Sequence, residues 1–190
     1  MNDGWIKLIT GPMFAGKTRM LIEDIGAYLG KPESTRYRGR HAAVLFPETD
    51  TRSNGEFITH GGLRFTHPSM TIHVVNPRKF TVPAATLVVF DEAQFFEPEN
   101  LLMTINHLVY GLKQHVLMAG LDRDFMGKPF GAIPDLLFMA DEVEKLYGTC
   151  ASCGARASRT QRIHHSTERV LIGGEGLYAQ SCKFCHTVPA

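Results

Sequence analysis

Apolar residues along this chain switch between two periods, and the switches mark its elements. Trp5, Ile6, Leu8 and Ile9 form a short run broken only by Lys7, after which Leu21, Ile22, Ile25, Tyr28 and Leu29 recur at helical spacing. Gly30, followed by Lys31 and Pro32, supplies the helix stop. Ala42, Ala43, Val44, Leu45 and Phe46 make a second run that Pro47 ends, and residues 70–75 alternate as a third strand. Residues 86–90 are continuous and β-branched, suited to a strand buried on both faces. Leu101, Leu102, Ile105, Leu108 and Val109 predict a helix after Pro98. Residues 116–118 predict a fifth strand, 135–140 a short helix and 143–146 a last strand. Strands alternating with helices predict an α/β fold, a mostly parallel sheet with helices on both faces. Residues 48–62, polar and glycine-containing, read as a long loop or lid. From about Tyr147 the alternation gives way to paired cysteines and short polar stretches. The expected organisation is therefore a domain over 1–146 and a small lobe over 147–190.

Composition excludes several classes. With 44% apolar and 21% charged residues, the 190-residue chain reads as one soluble globular domain with room for an appendage. A net charge of +1 argues against a nucleic-acid partner, whose footprint shows as a strongly basic balance or stripe. Arg36, Arg38, Arg40 and His41 cluster briefly, with only Tyr37 among them, so a solvated loop is expected. The longest apolar stretches, 84–90 and 133–140, are too short to cross a bilayer, and the first strand begins too early for an export signal. No membrane partner and a cytoplasmic location are expected.

The first loop carries the strongest chemistry. Gly11-Pro12-Met13-Phe14-Ala15-Gly16-Lys17-Thr18 is a complete G-x-x-x-x-G-K-[ST] phosphate loop between a strand and a helix. Its glycines let backbone N–H groups curl around a polyphosphate, Lys17 reaches the β- and γ-phosphates, and Thr18 offers a hydroxyl to Mg²⁺. The expected fold is thus of the phosphate-loop, RecA-like kind, binding a nucleoside triphosphate such as ATP. Asp91 and Glu92 directly follow the apolar strand Leu87-Val88-Val89-Phe90. An acidic residue there lies beside the phosphate loop and holds Mg²⁺, which suits Asp91. Glu92, one residue on, can face an attacking nucleophile.

Cys150, Cys153, Cys182 and Cys185 form two C-x-x-C pairs, four thiolates able to close tetrahedrally on a structural Zn²⁺. The gap between the pairs exceeds the usual zinc-ribbon spacing, so a loop must bulge there. Cys182 to His186 also matches a haem-attachment string, and either pair matches a redox string. The haem string leaves the other pair unexplained in a chain with no expected export signal, and redox pairs normally sit beside a βαβ unit rather than in a paired tail, so zinc is favoured. His60, inside the 48–62 loop, stands where a mobile segment approaches substrate.

Taken in order, these motifs resemble the type II, zinc-containing thymidine kinases over nearly the whole chain. The likeness rests on Gly11 to Thr18, Asp50-Thr51-Arg52 and Asp91-Glu92-Ala93-Gln94-Phe95-Phe96. It continues through the run from Gly120 to Gly131, both cysteine pairs, Val170-Leu171-Ile172-Gly173-Gly174, and Tyr178. The resemblance implies transfer of the γ-phosphate of ATP to the 5′-hydroxyl of thymidine, and of deoxyuridine. It implies Glu92 as the base for that hydroxyl, Asp91 and Thr18 at Mg²⁺, and Lys17 and Arg52 at the phosphates. Phe95, Leu121, Phe125, Phe130 and Tyr178 would wall the nucleoside pocket, with Met13 and Thr160 near the thymine 5-methyl. The backbone of Leu171, Ile172, Gly173 and Gly174 would hold the base as the family's lasso-like loop does. A homotetramer and feedback inhibition by thymidine triphosphate are implied as well. The departures are Ala15 for the usual Ser, Lys183 for an Arg, and Arg159 where an aromatic often precedes Thr160; the last lies nearest the base pocket.

Two other classes share parts of this pattern. A zinc-ribbon, nucleic-acid-dependent ATPase would also carry a phosphate loop, an acidic pair and paired cysteines. The near-neutral charge and the lack of helicase-type motifs after Glu92 weigh against it. A catalytically idle nucleotide-binding subunit is disfavoured by the intact Lys17, Thr18, Asp91 and Glu92.

Overall fold

The computed structural model describes residues 4–30, 40–49, 57–59, 61–164, 168, 171, 173 and 176–188. Its elements run β1 (Trp5–Thr10), α1 (Lys17–Leu29), β2 (Ala42–Pro47), β3 (Phe57–Ile58), β4 (Arg64–Phe65), β5 (Met70–Val75) and β6 (Leu87–Phe90). They continue with α2 (Pro98–Asn106), β7 (His115–Gly120), α3 (Ile133–Met139) and β8 (Glu142–Lys145). Six of these strands form one sheet in the order β5-β2-β6-β7-β1-β8, and each pairing in it is parallel. Because β7 lies between β1 and β6, the loop after β1 and the acidic pair after β6 leave the same end of the sheet one strand apart. That end is where open α/β sheets bind ligands.

Strand pleating explains why the runs are apolar throughout. Ile9, Val44, Val89 and Leu117 face α1, whose Leu21, Ile22 and Ile25 are buried against them. Their neighbours Leu8, Leu45, Val88, Phe90 and Met118 face the other way, toward Leu101 and Ile105 of α2 and Ile133 and Leu136 of α3. Each buried aliphatic side chain contributes about 1.5–3 kcal/mol relative to exposure. Phe80, Phe90 and Phe96 meet edge to face, with centroids 5.2–6.0 Å apart. Lys7 interrupts the first run because it faces α1 and pairs with Asp24 at 2.8 Å, Glu142 at 3.1 Å and Glu144 at 3.3 Å.

Two expectations need correction. Within residues 48–62 the chain makes part of a small antiparallel hairpin, β3 with β4, rather than loop throughout. Phe57 in that hairpin is buried and packs edge to face on Phe46, centroids 5.4 Å apart. Strands of two residues have no period for the sequence to display. Arg40 is not solvated loop either: its guanidinium lies 5.1 Å from the Tyr28 ring centroid and donates to the Tyr28 carbonyl at 2.7 Å. Arg36, Tyr37, Arg38 and His60 lie outside the described residues.

Beyond β8, two antiparallel hairpins assemble from short strands. They are β9 (Gly148–Thr149) with β10 (Arg156–Ala157), and β11 (Arg159–Arg162) with β12 (Tyr178–Ser181). No helix among the described residues is long and apolar enough to cross a membrane.

Candidate active site

The phosphate loop takes its shape from backbone that side chains resist. Gly11 has φ 141°, and a Cβ there would stand 2.5 Å from the Leu146 carbonyl oxygen. Gly16, the N-cap of α1, has φ 89°, so the glycine spacing reflects conformations that L side chains rarely adopt. Phe14, between them, also has positive φ, at 62°. Lys17 is buried, and its ammonium donates to the carbonyls of Gly11 (3.2 Å) and Pro12 (2.8 Å). The amine is thereby held against the loop at the positive end of α1, where anions bind.

Thr18 leads to the acidic pair. Its hydroxyl donates to Asp91 Oδ2 at 3.1 Å, and Asp91 Oδ1 accepts the Glu92 N–H at 2.9 Å. Two hard oxygen donors from α1 and β6 thus meet, a donor set that fits Mg²⁺ with waters completing its shell. Glu92 occupies left-handed backbone, φ 51° and ψ 43°, a conformation costing on the order of 1–3 kcal/mol. Its carboxylate accepts from Gln94 Nε2 at 2.5 Å, and Gln94 Oε1 accepts the Leu121 N–H at 3.0 Å. Gln94 is buried, and Gly120 and Gly131 make room for it; a Cβ on Gly120 would lie 2.8 Å from its Oε1.

The aromatic side chains fall into two contact groups. Phe95 meets Phe130 edge to face, centroids 5.6 Å apart. The Arg162 guanidinium lies 3.6 Å from the Phe125 ring centroid and donates to Tyr178 Oη at 2.9 Å. Tyr178 Oη in turn donates to the Leu171 carbonyl at 2.8 Å, and Arg162 also donates to the Glu168 carbonyl. Met13 N–H donates to Thr160 Oγ1 at 3.0 Å, which brings the phosphate loop against β11.

The hairpins of the C-terminal lobe bring Cys150, Cys153, Cys182 and Cys185 together, their sulfurs all within 4.8 Å of one another. Cys153 Sγ and Cys182 Sγ stand 3.7 Å apart. Four 2.3 Å Zn–S bonds in a tetrahedron require sulfurs about 3.8 Å apart, so the set fits zinc. Backbone N–H groups favour the ligand form: one from Cys182 leads in lowering the Cys150 thiol to about 5. Those of Cys185 and Phe184 lower Cys182. Side-chain hydrogen bonds to Cys153 and Cys182, with burial, push Cys185 up to about 12.

The sequence profile of thymidine kinase matches residues 4–186. The chain belongs to the thymidine kinase family. A thymidine kinase of Coprothermobacter proteolyticus is 38% identical over 198 residues, covering 99% of this chain and 93% of that protein. One of Mycoplasmoides gallisepticum is 38% identical over 195 residues, covering 99% of this chain and 83% of that protein.

In this thymidine kinase family member, Lys17, Thr18, Asp91 and Glu92 converge at one sheet end, as do Met13 and Thr160. Phe95 and Phe130 form one contact pair, Arg162 joins Phe125 to Tyr178, and Tyr178 in turn reaches the Leu171 carbonyl. Gly173 is described with φ 157°, whereas Arg52, Ile172 and Gly174 lie outside the described residues. Sequence reasoning missed Gln94, Arg162 and Gln180, whose side-chain amide donates to the Met13 carbonyl at 2.9 Å. Gln94 stood inside a recognised motif without a role; the other two sit in polar strands that no motif marks.

Proposed function

We propose that the protein transfers the γ-phosphate of MgATP to the 5′-hydroxyl of thymidine, giving thymidine monophosphate and ADP, and that it accepts deoxyuridine. The observation that carries this reading is the Thr18–Asp91 contact with Glu92 beside it. It brings the phosphate loop, candidate metal ligands and a candidate base to one sheet end, and family membership supports the nucleoside as the acceptor. Thr18 and Asp91 would hold Mg²⁺, which supplies charge neutralisation for the transferred phosphoryl group. Glu92 takes the proton from the 5′-hydroxyl as its oxygen attacks the γ-phosphorus. Lys17, with Arg52, neutralises the charge that develops on the phosphate oxygens.

Phe95, Leu121, Phe125, Phe130 and Tyr178 wall the nucleoside pocket, Met13 and Thr160 lie near the 5-methyl, and the Leu171–Gly174 backbone holds the base. Zn²⁺ on the four cysteines is structural, and it anchors a lobe, 147–190, too small to hold itself by burial alone. Residues 1–146 form the catalytic domain. The working form is a cytoplasmic homotetramer, inhibited by thymidine triphosphate that spans the base and phosphate sites. Nucleic acid has no part in the reaction.

The test is MgATP-dependent phosphorylation of thymidine, deoxyuridine, deoxycytidine and deoxyadenosine by purified protein, with turnover expected for the first two. ATP hydrolysis stimulated by DNA, without nucleoside phosphorylation, would sink the reading. Inhibition by thymidine triphosphate should be relieved by thymidine; inhibition that saturating thymidine leaves untouched places the inhibitor elsewhere.

A further inference from the structure

Met13, in the middle of the phosphate loop, has both backbone polar groups bound by side chains of the C-terminal lobe. Its N–H donates to Thr160 Oγ1 at 3.0 Å, and its carbonyl accepts from Gln180 Nε2 at 2.9 Å. Thr160 and Gln180 lie directly opposite one another across the β11–β12 ladder. Two side chains of one cross-strand pair therefore grip one loop residue by both its handles. The other end of the Gln180 amide is fixed too, because its Oε1 accepts the Thr149 N–H at 3.0 Å. Its main-chain carbonyl accepts from Ala151 N–H at 2.9 Å. Thr149 and Ala151 flank Cys150, and Gln180 stands two residues before Cys182. The grip is thus built onto the strands that lead into Cys150 and Cys182. Gly148 belongs to the same device: a Cβ there would overlap the Gln180 amide, so only glycine lets that side chain pass to the loop.

The loop has reason to need an outside hold. Phe14, next to Met13, sits at φ 62°, and a strained conformation persists only where its surroundings over-determine it. A loop already in its binding shape loses less ordering entropy when a polyphosphate arrives.

We propose that Thr160 and Gln180 are positioning residues for the nucleotide, clamping the phosphate loop at Met13 and tying nucleotide affinity to the cysteine-bearing lobe. The proposal rests on the reading of the loop as the MgATP site and adds a second function to the lobe beyond covering the nucleoside.

MgADP binding to the full-length protein, measured by titration calorimetry without nucleoside, tests it. Wild type is compared with Gln180→Leu and Gln180→Glu, and zinc content is measured on the same samples. The dissociation constant should rise about tenfold in each variant, the effect of losing one hydrogen bond and orphaning a carbonyl. Zinc content should stay at the wild-type value. Gln180→Glu keeps an acceptor for Thr149 but adds a negative charge beside the loop as it loses the donor to Met13, so the uncharged Gln180→Leu, with zinc retained, must weaken MgADP binding as well for the clamp to account for the loss. Unchanged MgADP affinity in Gln180→Glu overturns the proposal. So does an affinity that falls only in step with lost zinc, which reduces Gln180 to a support of the lobe. Wild-type protein that does not bind MgADP overturns the phosphate-loop reading itself, a failure distinct from the other two.

Discussion

Glu92 is the residue on which turnover is expected to depend, and a neutral amide aims it. Glu92→Gln should keep substrate binding and lose about 10²–10⁴-fold in kcat, the usual contribution of a positioned base. Near-wild-type kcat in the purified variant would remove Glu92 from the mechanism. Gln94→Glu asks the sharper question, since it sets a second carboxylate against the first, whose oxygen lies 2.5 Å from Gln94 Nε2. Like charges that close share a proton, which raises the apparent pKa of the pair. The acid limb of the kcat–pH profile should therefore move to higher pH in Gln94→Glu; a limb that stays in place means Gln94 does not govern the base. At this scale the motif of Lys17 and Thr18 was legible because a phosphate loop demands fixed spacing along one strand–loop–helix, and the Asp91-Glu92 pair because it ends an unbroken apolar strand. Gln94 was not, because its role depends on the Leu121 N–H, 27 positions away.

Among the elements, β1, α1 and β8 are stitched together by Lys7, a charge inside an otherwise apolar run. Burial would lower its pKa, but hydrogen bonds to Asp24, Glu142 and Glu144 outweigh burial and hold it above the ordinary lysine value of 10.5. A raised pKa means the folded state binds the proton more tightly than the unfolded state does. The resulting stability is complete below pH 10.5 and is lost as pH climbs through the higher folded value. Lys7→Met should cost about 1–3 kcal/mol, less than a fully buried pair, because the carboxylates are partly exposed. Urea unfolding of both proteins checks this: the difference should be flat from about pH 7 to 10 and shrink above that range. A difference that grows above that range contradicts the assignment. The strands themselves were readable because burial on both faces leaves an unbroken apolar signature. The hairpin of Phe57 and Phe65 was not, since its two-residue strands acquire meaning only through Phe46.

For the whole molecule, the decisive quantity is whether the four cysteines, which could hold a metal ion, carry zinc. Cys150→Ser should lower zinc content from about one equivalent per chain and loosen the lobe, with activity falling as a consequence. Zinc is measured by atomic spectroscopy on protein purified without added metal. A fully active wild type carrying under about half an equivalent contradicts the structural-zinc claim. Sequence alone determined the phosphate loop, the acidic pair, the cysteine set and the alternation of strands with helices. Each of these is a local pattern whose physics acts over a few residues. Tertiary structure alone decided the strand order that sets Asp91 beside Thr18, the Gln94 bridge from Glu92 to Leu121, and the hold of Thr160 and Gln180 on Met13. Those contacts join residues separated by 73, 27, 147 and 167 positions. Hydrogen bonds over such separations depend on how packed layers converge, and no periodicity along the chain encodes that.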